Sequence, residues 1–161
     1  MQAYIIRPEL QKFQRRAWKA YAKRKEYIEA MFGLIHNGVI VVSMFYPVPH
    51  TADIRSCSFV GDPQQDAYVD EDTFDDLRAA AKDHGLKLIG TIHSHPGYST
   101  CRHLSHQDER HIMANCFDEL LTGTIHLFQK DGRKVARTQF SCLWEPVQVK
   151  FVTSKGHLRN R

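Results

Sequence analysis

Leu10, Phe13, Ala17, Ala20 and Tyr21 recur at three- and four-residue spacing, the period of a helix with one apolar face. Pro8 suits the first turn of such a helix. The pattern therefore predicts an amphipathic helix over residues 8–25, preceded by a short strand over Ala3–Arg7. Two apolar runs follow, Ile28–Ile35 and Val39–Tyr46, on either side of His36-Asn37-Gly38. Asn-Gly between such runs signals a two-stranded hairpin, and Pro47 and Pro49 end its second strand. Residues 48–72 are polar and rich in turn formers, with one short strand expected near Cys57–Val60. Thr73 and Asp76 have the spacing of a capping box, and Gly85 closes the helix they open. Leu86–His93 reads as a buried strand from its Leu, Ile and Thr content. A loop and a helix over about Ser105–Leu121 come next. Thr124–Gln129 and Val135–Trp144 are strands joined by a turn at Lys130–Arg133, and Val147–Thr153 is a last strand. A hairpin first, then strands alternating with helices, predicts an α/β fold in which helices pack on the faces of a mixed β-sheet.

The chain has 161 residues, enough for one domain with a substantial core. The reading is one domain over residues 1–154 and a basic tail over 155–161. No apolar run approaches the roughly 20 residues of a membrane-spanning helix. The segment Met1–Glu9 lacks the long apolar core of a signal peptide. A soluble, cytoplasmic protein with no membrane partner is expected. Cys57, Cys101, Cys116 and Cys142 are scattered without a CxxC pair, so free thiols are expected rather than a disulfide scaffold. The formal charge of +4 is mild. Its cations gather near the two ends of the chain without an aromatic-interleaved basic motif, so nucleic acid is not an expected partner.

The chemistry concentrates in Thr91-Ile-His-Ser-His-Pro-Gly-Tyr98. His93 and His95 are two apart at the end of a strand, where residues i and i+2 point to one side. Paired neutral imidazoles suit zinc, and Pro96-Gly97 would end the strand there and open the pair to solvent. Taken alone, His-x-His is also the pattern of two surface histidines. Downstream, Ser105 and Asp108 stand three apart at the start of the expected helix. They form a plain capping box, or Asp108 turns back as a third, anionic ligand; one arrangement can do both. Two His and one carboxylate leave a tetrahedral position open, as catalytic zinc requires. Hydrolysis also needs a carboxylate to move protons. Glu29, inside the apolar stretch Tyr27–Ile35, is the candidate, and Glu26 is the competing acid.

Gly90-Thr-Ile-His-Ser-His-Pro-Gly-Tyr98, then Cys101, then Leu104-Ser-His-Gln-Asp108, resembles the JAMM (MPN-plus) metalloproteases. Their signature is an upstream Glu, then His-Ser/Thr-His-Pro, then Ser-x-x-Asp. The resemblance implies a JAB/MPN-like three-layer sandwich and one zinc ion per chain. It assigns His93, His95 and Asp108 as zinc ligands, Glu29 as general base and acid, and Ser105 as donor to the tetrahedral oxyanion. It implies cleavage after the C-terminal glycine of a ubiquitin-like protein, in deconjugation or precursor processing. The compact chain looks more like stand-alone prokaryotic members, often found beside E1-like and E2-like partners. Two departures from the family stand out. Twelve residues separate His95 from Asp108, where ten are usual, and Phe32 occupies the place of a glycine three residues after the Glu, with Gly33 following. His103, His106 and His111 flank the motif. An inactive binding scaffold of the same fold and a hydrolase of small amides remain as alternative readings.

Overall fold

The structure is a computed structural model and describes residues 1–23, 26–48, 71–96, 120–142 and 144–153. In chain order the elements are β1 (Gln2–Ile6), α1 (Arg7–Ala22), β2 (Ile28–His36), β3 (Val39–Pro47), α2 (Glu71–Asp83), β4 (Lys87–Pro96), β5 (Thr122–Lys130), β6 (Arg133–Ser141) and β7 (Gln148–Val152). The strands form one sheet in the order β6-β5-β4-β2-β3-β1-β7. It is mixed: β4 runs parallel to β5, and β1 parallel to both β3 and β7, while the remaining pairs are antiparallel.

Local chemistry explains most boundaries. Pro8 sits in the first turn of α1, where a missing amide costs nothing. Asn37 and Gly38 both adopt positive φ (49° and 75°), the turn that matches the twist of a two-residue hairpin between β2 and β3. Asp131 and Gly132 repeat it between β5 and β6, at φ 50° and 71°. Helix α2 starts at Glu71, two residues before the predicted cap at Thr73. It ends as expected at Gly85, whose φ of 66° lets the amide of Leu86 reach back to the carbonyl of Ala81 at 2.9 Å. The expected strand near Cys57–Val60 and most of the expected helix over 105–121 lie outside the described residues. The described end of that stretch, Leu120 and Leu121, is bent rather than helical.

Strand β2 is covered on both faces, so its residues sort by alternation into two cores. Met31 joins Leu10, Phe13 and Ala17 of α1, together with Ile92, Ile125 and Leu127. Ile28, Ala30 and Phe32 instead meet Phe74, Leu77 and Ala81 of α2. The two helices therefore lie on opposite faces of the sheet. Fully burying Phe13 or Leu77 contributes roughly 1.5–3 kcal/mol each. No described helix is long and apolar enough to cross a membrane.

Candidate metal centre and its surroundings

Strand β4 runs three residues further than predicted and carries both histidines inside the sheet. His93 and His95 are 5% and 9% exposed. Their Nε2 atoms converge to 2.9 Å, with ring centroids 4.7 Å apart. A tetrahedral zinc holding two nitrogens at about 2.0–2.1 Å separates them by about 3.3 Å. A few tenths of an ångström of opening would thus fit the pair to two corners of a zinc site. Neutral imidazoles that meet nitrogen to nitrogen, shielded from water, are the donor set zinc favours.

The sheet register fixes what faces this pair. Ile28 of β2 is the partner of His93, and Glu29 that of Ile92. Side chains directly opposite share a face, so His93 looks toward α2 with Ile28, and Glu29 looks toward α1 with Ile92. The surroundings of Glu29 agree. It is fully buried, bonded through both carboxylate oxygens to the Arg16 guanidinium (Nη2 to Oε2 2.9 Å) and by the Tyr27 hydroxyl at 2.6 Å. Tyr27 stacks in turn on Phe13 of α1, with centroids 5.9 Å apart. Burial, then the bond to Glu29, pushes the Tyr27 phenol well above its ordinary value of 10.0. The hydrogen bond to Glu29 likewise holds the Arg16 guanidinium above its usual range. The structure thus separates Glu29 from the histidines that the sequence grouped with it.

The chain just ahead of β2 is tied to β4. The Ser94 amide donates to the Tyr27 carbonyl at 2.8 Å, and the Tyr27 amide donates to Ser94 Oγ at 2.9 Å. These bonds carry the β2–β4 contact one residue beyond Ile28 and His93, to Tyr27 and Ser94. Glu26, half-buried, stands two residues ahead of β2. Ser94 itself is 1% exposed and lies between the two histidines.

Strand β5 adds a residue that the sequence did not flag. His126 is the parallel partner of His95, and their rings stack at 5.0 Å and 12°. Only the pairing of β4 with β5 brings these distant positions together. Thr124, beside His93, extends the same face. The close approach of the two strands depends on Gly123, where a Cβ would lie 2.7 Å from Cγ1 of Ile92. Among the described residues no group of three or more His, Cys, Asp or Glu side chains is arranged to hold a metal. Ser105, Asp108, His103, His106 and His111 lie outside the described residues.

The fold defines a mixed α/β protein with a seven-stranded sheet and two described helices. No family model matches the chain, and no curated protein matches it. Among solved structures, the fold is similar to that of a Desulfitobacterium hafniense protein determined in solution. The TM-score is 0.55 at 15% identity, over 96% of this chain and 97% of the other. At that identity the likeness speaks for the fold alone.

Proposed function

We propose that the protein is a zinc-dependent isopeptidase or peptidase of the JAMM type, with the corresponding JAB/MPN-like sandwich. Its substrate would be the bond after the C-terminal glycine of a ubiquitin-like protein. The observation that supports this most is the convergence of the two buried Nε2 atoms of His93 and His95 at the end of β4, within the string His-Ser-His-Pro-Gly-Tyr. His93 and His95 would hold the ion, and Asp108 would complete the set on the strength of the motif. Zinc bound there would supply a Lewis acid that activates water at neutral pH.

The remaining roles fall to the chain's own side chains. Glu26, the competing acid just ahead of β2, would take the proton from the attacking water and pass it to the leaving amine. Glu29 would instead anchor β2 to α1 through Arg16. Ser105 would donate to the developing oxyanion, a contribution of roughly 10²–10³ in rate. E1-like and E2-like proteins are the expected operon partners.

The test compares wild type with His93→Ala, Glu26→Gln and Glu29→Gln on a linear fusion of a ubiquitin-like protein, with zinc content measured in parallel. The wild type should bind one zinc and cleave, and His93→Ala should lose both. Glu26→Gln should keep zinc and lose cleavage by about 10²–10⁴-fold. Glu29→Gln should keep cleavage wherever it remains folded. Full cleavage by Glu26→Gln would overturn the role given to Glu26, and a zinc-free, inactive wild type would overturn the whole reading.

A further inference from the structure

Two strands beyond the histidine pair, the same face of the sheet turns strongly basic. His95 pairs with His126, and His126 with Arg137 of β6, so the three form one row across the sheet. Strands are spaced about 4.8 Å apart, which puts Arg137 about 10 Å from His95. Alternation along β5 and β6 brings Lys130 and Arg133, themselves partners, onto this face too. All three cations are exposed. Among the described residues none of them joins an ion pair; Arg137 lies over the Phe128 ring at 5.4 Å. Neither β5 nor β6 contains an acidic residue, and Asp131 in the turn is the hairpin's single acid.

Among the described residues, exposed acids of this side gather on the opposite flank. Asp72, Asp75 and Asp76 are exposed on α2, which packs over β4 and β2. Their clustering in the first turns of α2 has a local cause, the favourable interaction of carboxylates with a helix N-terminus. The basic strip has no such cause. Protection of an edge strand explains a lysine anywhere on β6, but it does not explain why three cations share the histidine face. Among the described residues, charge therefore runs from negative over α2, where Arg78 offsets Asp75, to positive over β5–β6, with the histidines between.

We infer that the β5–β6 face is a docking surface for an acidic, extended protein segment, which Lys130, Arg133 and Arg137 would hold beside the histidine pair. This rests on the reading of that pair as a hydrolytic centre and names the substrate property that reading leaves open: carboxylate side chains near the scissile bond. The strip concentrates acidic segments by attraction at the surface, so it acts on substrate capture and not on the chemical step.

The test uses paired fluorescent peptides ending in Gly-Gly, one carrying several glutamates and the other glutamines at the same places. Binding to the full chain is followed by anisotropy at about 50 mM and about 250 mM salt. The glutamate peptide should bind about tenfold more tightly at low salt, and the preference should shrink at high salt. Lys130→Gln, Arg133→Gln and Arg137→Gln combined should erase it; Arg137→Gln alone should erase part, which guards against misfolding of the triple variant. Equal binding of the two peptides, or a preference that survives the substitutions, overturns the inference. So does tighter binding of a single-stranded oligonucleotide that the same substitutions abolish. Peptide binding is read without cleavage, so an inactive wild type that still prefers the acidic peptide would sink the proposed function and leave the docking surface standing.

Discussion

Removing the Arg16 side chain tests the account of Glu29. The carboxylate is fully buried while the Arg16 side chain is 34% exposed, so the pair is a buried anion reached by a cation from the surface. Arg16→Ala leaves the carboxylate with the Tyr27 hydroxyl as partner, at 2.6 Å. Breaking a buried pair from one side costs about 3–5 kcal/mol. Water can enter the space vacated by a side chain already one-third exposed, which favours the lower end, about 3 kcal/mol. For a chain of this length each kcal/mol lowers Tm by about 2–4 °C, giving a fall of about 6–12 °C. The assay is thermal unfolding by circular dichroism, with urea midpoints as a check. The combined Arg16→Met and Glu29→Leu variant removes both charges at similar volume and should recover most of the loss. It should also bind zinc like the wild type, since neither residue faces the histidines. A fall below about 2 °C for Arg16→Ala, or a double variant no better than the single one, would refute the reasoning.

Two further outcomes follow from the same region. The raised Tyr27 phenol stays protonated in the fold while the unfolded chain ionises near its ordinary 10.0. Its stabilisation is therefore complete below about pH 10 and declines as pH rises through that value; urea midpoints across this range should fall less steeply for Tyr27→Phe, and an unchanged slope would exclude Tyr27 as the cause. Ser94→Ala takes away the acceptor of the Tyr27 amide and should cost about 1–3 kcal/mol, while Ser94→Thr, which keeps a hydroxyl, should recover most of it. Equal unfolding midpoints for the two Ser94 variants would show that the hydroxyl contributes nothing there.

Much of the architecture was legible because local chemistry decides it. The apolar stripe of α1, Asn37-Gly38 and Gly85 each specify a conformation within a few residues. The faces of β2 were not legible. Ile28–Gly33 is buried on both sides, and a strand covered on both faces loses the alternation that tells inside from outside. Glu29 stood out as an acid among apolar residues, and its partner, Arg16, looked like one more cation on a solvated helix. Only the pairing of Ile28 with His93, and of Glu29 with Ile92, sets Glu29 on the face away from the histidines. His126 was hidden for a related reason: a parallel ladder joins positions that no short spacing links.

The placement of β1 has a consequence for how the chain is made. Its two neighbours in the sheet come from different stages of synthesis: β3 follows soon after α1, whereas β7 is formed from Gln148–Val152. During translation the outer hydrogen-bonding edge of β1 therefore stays open long after its inner edge can close. An open strand edge is where nascent chains pair wrongly with one another. Capture of the Met1 carbonyl by the Gln148 amide, at 2.9 Å, marks the point at which that exposure ends, so truncations before Gln148 should tend to aggregate even though they contain both histidines.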